Sequence, residues 1–129
     1  MVFDLTINSQ KRYKKFIKRV IENGVVWGLE CEDKWCVCES NEYEDAMVMP
    51  FWSDEAYARQ CNINDWSIYK PSPIPLDIFM NNWLNGMNED GLLVGINWNA
   101  ELIGVEIEPF DLFDELEKLL EEVKLNKRN

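Results

Sequence analysis

Between Asn8-Ser9 and Gly24, the apolar residues Tyr13, Phe16, Ile17, Val20 and Ile21 recur every three or four positions, with lysines between them. That spacing predicts an amphipathic helix capped by Asn8 or Ser9 and stopped by Gly24. The period then shortens to two. In VVWGLEC, Val25, Trp27, Leu29 and Cys31 share a face, and WCVCES, after the acidic corner Glu32-Asp33, alternates again as a returning strand would. A polar loop, ESNEYED, leads to a short apolar strand, AMVMPF.

Ser53 reads as the N-cap of a short helix over SDEAYARQC, with acidic residues in its first turn. DWSIYK is expected as a strand. PSPIP places three prolines in five positions, which argues against helix and central strand alike. Pro75 then opens a helix with Phe79, Met80, Trp83 and Leu84 on its apolar side, closed by Asn85-Gly86. EDGLLVGINWNAELIGVEIE is a hairpin signal around Asn99-Ala100. Pro109 starts a last helix with Phe110, Phe113, Leu116, Leu119, Leu120 and Val123 as its stripe. The predicted order is α-βββ-α-β-α-ββ-α: one α+β domain over residues 1–129, core roughly 9–124, with a mainly antiparallel sheet packed by helices.

A chain of 129 residues can bury about two-thirds of its unfolded surface without metal or disulfide staples. No apolar run approaches the ~20 residues of a membrane span, and the N-terminus lacks a signal-like apolar stretch. A cytoplasmic, thiol-bearing protein is the expectation. Charge changes the picture more. The net is −11, yet residues 11–19 hold six of the thirteen bases and no acid. The rest of the chain carries 7 bases against 24 acids, a net of −17. Such a surface argues against nucleic acid and favours a basic partner. The basic helix could instead pack near acidic segments of its own chain.

Three of the four cysteines fall within CEDKWCVC. The spacing C-x₄-C-x-C-x₂₂-C is not the paired knuckle of structural zinc sites, and the chain has no histidine to complete one. Patterning favours a three-residue loop, Glu32-Asp33-Lys34, which sets Cys31 opposite Trp35 and leaves Cys36 and Cys38 on the other face. A two-residue loop would put all three cysteines on one face with Trp27 and Leu29. In the favoured register the thiols read as core groups, and neither a metal nor a cofactor is expected.

Ser–His and Cys–His catalysis both need a histidine, and no glycine-rich phosphate loop is present. ESNEYED offers Glu39, Glu42, Glu44 and Asp45 as a carboxylate cluster but lacks the ligand order of a calcium loop. No catalytic residue is singled out. Large aromatics at element ends serve as core lids or as contact anchors, and Trp52, Trp66, Tyr69 and Trp98 are the candidates for anchors. Trp98, beside the turn at Asn99, is the one expected to be exposed.

The series RYKKFIKRV, VVWGL, an isolated Trp35, PFWS with YARQC, WSIYKPSPIPLDIF, WLNGMNEDG and EPFDLFDELEKLLEE resembles the bacterial family known as domain of unknown function 2750. The resemblance runs from about Arg12 to Glu122. It implies a stand-alone α+β protein, brings no activity, and implies small residues at the positions of Cys36 and Cys38, in line with the core reading. The expected function is a non-enzymatic, acidic protein-binding module, immunity- or antitoxin-like, that captures a basic protein. The alternatives are a self-associating regulatory domain (a homo-oligomer) and a carboxylate-based enzyme.

Overall fold

The computed structural model describes the backbone of residues 2–128 and the side chains of residues 7–127. Met1 and Asn129, the ends of the expected 1–129 unit, lie outside the described residues. Helix α1 (Val2–Asn23) starts well before Asn8. Asn8 and Ser9 sit inside it, and Ser9 accepts a hydrogen bond from Arg12 Nη2 at 3.1 Å instead of capping. The helix ends at Gly24, as predicted: its φ is +69°, and its N–H returns to the Val20 carbonyl at 2.8 Å.

Seven strands follow: β1 (Val25–Cys31), β2 (Lys34–Trp35), β3 (Cys38–Glu39), β4 (Met47–Phe51), β5 (Lys70–Pro75), β6 (Leu92–Ile96) and β7 (Val105–Ile107). They form a β2-β1-β5 sheet and a β3-β4-β6-β7 sheet. The sheets meet where Trp27 and Trp52 exchange two backbone hydrogen bonds of 2.8 Å. β4 and β6 run parallel, and the other ladders are antiparallel. The fold is α+β with mixed sheets packed by helices.

The remaining helices are α2 (Glu55–Cys61), a 3₁₀ turn (Asn64–Trp66), a continuous middle helix and α5 (Pro109–Arg128). The middle helix consists of α3 (Leu76–Ile78), a π-helical turn (Phe79–Trp83) and α4 (Leu84–Glu89). On one side of the sheets, Phe16, Ile17 and Val20 of α1 pack with Phe79, Met80 and Leu84, with Leu112 and Leu116 of α5, and with Val26, Phe51, Val94 and Ile96. On the other side Leu29, Cys36 and Trp52 pack beneath Ala58 and Cys61 of α2.

Several expectations need correction. PSPIP is a strand, β5, at the sheet edge. Ser72 and Ile74 alternate with Pro71, Pro73 and Pro75, and Leu76 N–H donates to the Gly24 carbonyl at 2.9 Å. Amides on the Leu76 parity therefore face β1, while the proline nitrogens face outward, where no donor is needed. DWSIYK is a 3₁₀ turn and a further turn that lead into that strand, only Lys70 belonging to it. Asp54, not Ser53, occupies the N-cap of α2. The middle helix runs past Asn85-Gly86 and ends against Gly91, whose φ is +71°. The last hairpin exists, but eight residues (97–104) separate its strands instead of a tight Asn99-Ala100 turn. In α5, Leu112 is fully buried and Phe110 is exposed, so the stripe is rotated from the predicted one.

The cysteine hairpin also differs. Cys31 pairs with Lys34 and Glu30 with Trp35 across a two-residue turn, with Glu32 at φ +49° and Asp33 at φ +66°. That is type I′ geometry, normally signalled by Asn-Gly. β1 is covered on both faces, so apolar sorting could not choose the register. Gly28 shows what does. A Cβ there would lie 2.8 Å from the Trp35 ring, so the missing side chain makes the slot that Trp35 fills. WCVCES is then split, its first residue, Trp35, in β2 and Cys38-Glu39 in β3 of the other sheet.

Candidate functional site

β4 and β6 are adjacent and parallel, and at their carboxyl ends lie Ser53 and Asn97, both essentially buried. Asn97 Oδ1 accepts the Ser53 N–H at 2.8 Å, while its Nδ2 donates to Ser53 Oγ at 3.1 Å and to the Arg12 carbonyl at 3.2 Å. Arg12 reaches back from α1, donating to the carbonyls of Asn97 at 3.0 Å and Ile103 at 2.9 Å. Ser53 Oγ donates to Asp54 Oδ1 at 2.6 Å, and Arg19 Nη2 donates to Asp54 Oδ2 at 2.6 Å. The Arg19 hydrogen bond leads in holding the Asp54 carboxyl below its ordinary range. Ligands often bind at the carboxyl ends of parallel strands. Here the polar groups at that position satisfy one another and fasten α1 to the sheets. Within the basic segment, Arg12 and Arg19 thus pack on the chain's own groups.

The thiols are quiet. Burial, then Cys38 and Cys61, pushes Cys36 up to about 12; burial, then Glu106 and Glu39, pushes Cys38 up to about 11. Burial raises Cys61 to about 11, and its Sγ–H donates to the carbonyls of Asn99 at 3.1 Å and Trp98 at 3.3 Å. Nucleophilic cysteine needs the opposite shift. With folded values raised, the neutral thiols add stability below about pH 8.5, the unfolded value, and that contribution is lost as pH rises through 11 to 12. In the folded protein at pH 8, Cys36 and Cys61 should therefore resist a thiol-disulfide reagent until unfolding. Half-exposed Cys31 should react first. Stoichiometry against time, with and without urea, checks this; rapid labelling of Cys36 would contradict it. Among the described residues, no group of three or more thiols and carboxylates could hold a metal ion.

Exposed chemistry concentrates between β3 and β4. Glu39, Ser40, Glu42, Tyr43, Glu44 and Asp45 ring an open basin of about 570 Å³. Ser40 organises it: its Oγ donates to Glu106 Oε1 of β7 and accepts the N–H groups of Glu42 at 3.0 Å and Tyr43 at 2.9 Å. Asn41 adds a backbone N–H to Glu106 Oε2 at 3.0 Å and a side-chain bond to the Leu102 carbonyl at 3.1 Å. Partial desolvation, then Glu106, raises the Glu42 carboxyl above its ordinary range. Tyr43 is 57% exposed and Met47 39% exposed, apolar surface among the acids.

The four predicted acids thus come together, but the predicted anchors do not join them. Trp98, expected to be exposed, is 2% exposed, and Trp52 is fully buried. The Trp52 indole N–H donates to the Trp98 carbonyl at 3.0 Å, and the Trp98 indole to the Val105 carbonyl at 3.2 Å. Neither can touch a partner. Trp66 and Tyr69 are half-buried against the α2-side core, where Asn62 Nδ2 donates to both their carbonyls at 2.7 Å.

The model of the family described as "Protein of unknown function (DUF2750)" matches residues 13–116. The chain belongs to the DUF2750 family. No curated protein and no solved structure gives a significant match. The matched span takes in the acidic basin, Ser53 and Asn97, and starts one residue after Arg12. Among the described residues, no helix is long and apolar enough to cross a membrane.

Sequence reasoning missed Arg12, Ser53 and Asn97. Asn97 carries a readable signal only in hindsight: a polar residue directly after the apolar run LLVGI, at φ +45°, where asparagine is tolerated better than most residues. Tyr43 and Met47 carry no readable signal, because a single aromatic in a polar loop and a methionine at the start of a short apolar strand do not announce exposure.

Proposed function

We propose that this chain is a non-enzymatic binding module that captures a basic protein partner, in the manner of an immunity protein or antitoxin. The supporting observation is the basin: Glu39, Glu42, Glu44 and Asp45 face solvent around Tyr43 and Met47, on a loop pinned to β7 through Ser40 and Glu106. The loop is held before any partner arrives, so little ordering entropy opposes binding. Exposed carboxylates act mainly on association, steering a basic surface inward, and their effect is screened over about 10 Å at 0.1 M salt.

The test is capture from the native host's lysate with low- and high-salt washes, run alongside a Glu42→Lys/Glu44→Lys variant. A basic partner should elute at high salt, and the variant should associate at least about tenfold more slowly in stopped flow at low salt. Nanomolar binding indifferent to both salt and charge reversal would refute the reading.

One observation favours a second reading, self-association. Lys11, Lys14, Lys15 and Lys18 are exposed along α1 and could dock on the acidic surface of another copy. Lys15 also lies over the Tyr57 ring at 5.1 Å, and Lys18 stands 4.0 Å from Glu22. Sedimentation at low and high salt separates the two readings, because a salt-sensitive homodimer supports the second.

A further inference from the structure

Five of the chain's six glycines have visible structural reasons in the ring slots and helix ends: Gly28 under Trp35, Gly95 and Gly104 against Trp98, and Gly24 and Gly91 at positive φ. Gly86 has none of these. It sits within α4, outside the left-handed region, and a Cβ built on it would meet nothing within 4 Å. Glycine is the least favourable helix-interior residue after proline, so neither backbone nor packing accounts for it.

What lies over Gly86 is a groove of about 280 Å³ between α4 and the neighbouring ends of β4 and β6. Its walls are Met49, Trp83, Met87 and Leu92. The Trp83 ring is fixed in place by edge contacts with Trp35 at 4.6 Å and Phe51 at 5.9 Å, at the last residue of the π-helical turn. π turns of this kind recur where a helix serves a site. The two methionines supply an adaptable apolar lining. Exposed Asn82 and Asp90 form the rim, and among the described residues no basic side chain lines the groove.

The groove lies beside the acidic basin along β4. Met47 lines the basin and pairs with Leu92 of the groove, and Met47 and Met49 share one face of β4 about 7 Å apart. A peptide leaving the basin along β4 therefore passes from carboxylates to an apolar slot with a carboxylate, Asp90, on its rim.

We infer that this groove seats an apolar side chain of a partner peptide whose flanking residues are lysine or arginine, with Gly86 leaving the helix backbone open for close approach. The inference rests on the reading of the chain as a binder of a basic partner and names the segment that partner presents. Charge complementarity selects the flanks, and the apolar walls select the anchor.

The test uses the full chain and two probe peptides, acetyl-Lys-Lys-Leu-Lys-Lys-amide and its central-glycine analogue, titrated by ¹H–¹⁵N and methyl NMR. The leucine peptide should bind roughly tenfold tighter than the glycine peptide, in line with burial of one leucine side chain, and should shift the Trp83 indole and the Met49 and Met87 methyl signals. Gly86→Leu should bring the two affinities within about twofold by removing the leucine peptide's advantage. Gly86→Ala, melted alongside, shows that the helix accepts a side chain there. Equal affinities for the unaltered chain, or a leucine preference that survives Gly86→Leu, would overturn the groove and leave charge capture standing. Failure of both peptides to bind would remove the groove and the basic-partner reading together.

Discussion

Replacing Asn97 with leucine is expected to destabilise the fold by about 3–5 kcal/mol. The residue is 2% exposed, and its amide group holds three partners. Leucine leaves the buried Ser53 N–H without an acceptor and takes one donor from the Arg12 carbonyl, each loss worth about 1–3 kcal/mol. It must also adopt φ +45°, a region that costs an ordinary side chain about 1–2 kcal/mol. Arg12 would still hold the Asn97 carbonyl at 3.0 Å, so the loss is confined to the side chain's contacts and the backbone strain. Urea titration of Asn97→Leu beside the unaltered chain measures the difference. A shift under about 1 kcal/mol would mean that the network fastens α1 only weakly.

Trp98→Ala should cost a similar amount, about 3–5 kcal/mol, because the indole is buried and its N–H reaches the Val105 carbonyl at 3.2 Å. The sharper prediction concerns its neighbours. A Cβ at Gly95 would stand 2.7 Å from the indole, and one at Gly104 would collide with the same ring. The two glycines of GINWNAELIG are the walls of a slot. Gly95→Ala should therefore cost about 1–3 kcal/mol alone, through overpacking, and within about 0.5 kcal/mol of nothing once Trp98 is alanine. A double-mutant cycle by chemical denaturation reads the coupling directly. Additive costs would show that Gly95 answers to something other than the ring.

These two sites mark where the sequence is legible and where it stops. The α1 face, its stop at Gly24, the Pro109 start and the α+β class follow from periodicity and from residues whose backbone preferences are strong. The cysteine hairpin does not, because both faces of β1 are covered and Glu32-Asp33 is an unadvertised I′ turn. PSPIP misled for a related reason: three prolines at alternate positions are compatible with an edge strand, and only knowing which strand is an edge reveals it. Of the candidate site, the acidic loop could be read because it is contiguous. The Asn97 network could not, since its members lie 44 and 85 positions apart. Nor could the burial of Trp98, which depends on two glycines that look incidental until the ring is seen between them.

The link between Arg12 and Asn97 also has a history in time. During synthesis α1 emerges before the sheet it packs on, and the groups that fasten it lie 85 residues later. At 5–20 residues per second that is a delay of roughly 4–17 s, during which the lysine-rich helix has neither its polar tie nor Leu112 and Leu116 to cover its apolar face. Native closure must await a large loop, so it comes late in folding. A newborn chain therefore shows its cationic helix to the cell before its anionic body has folded around it.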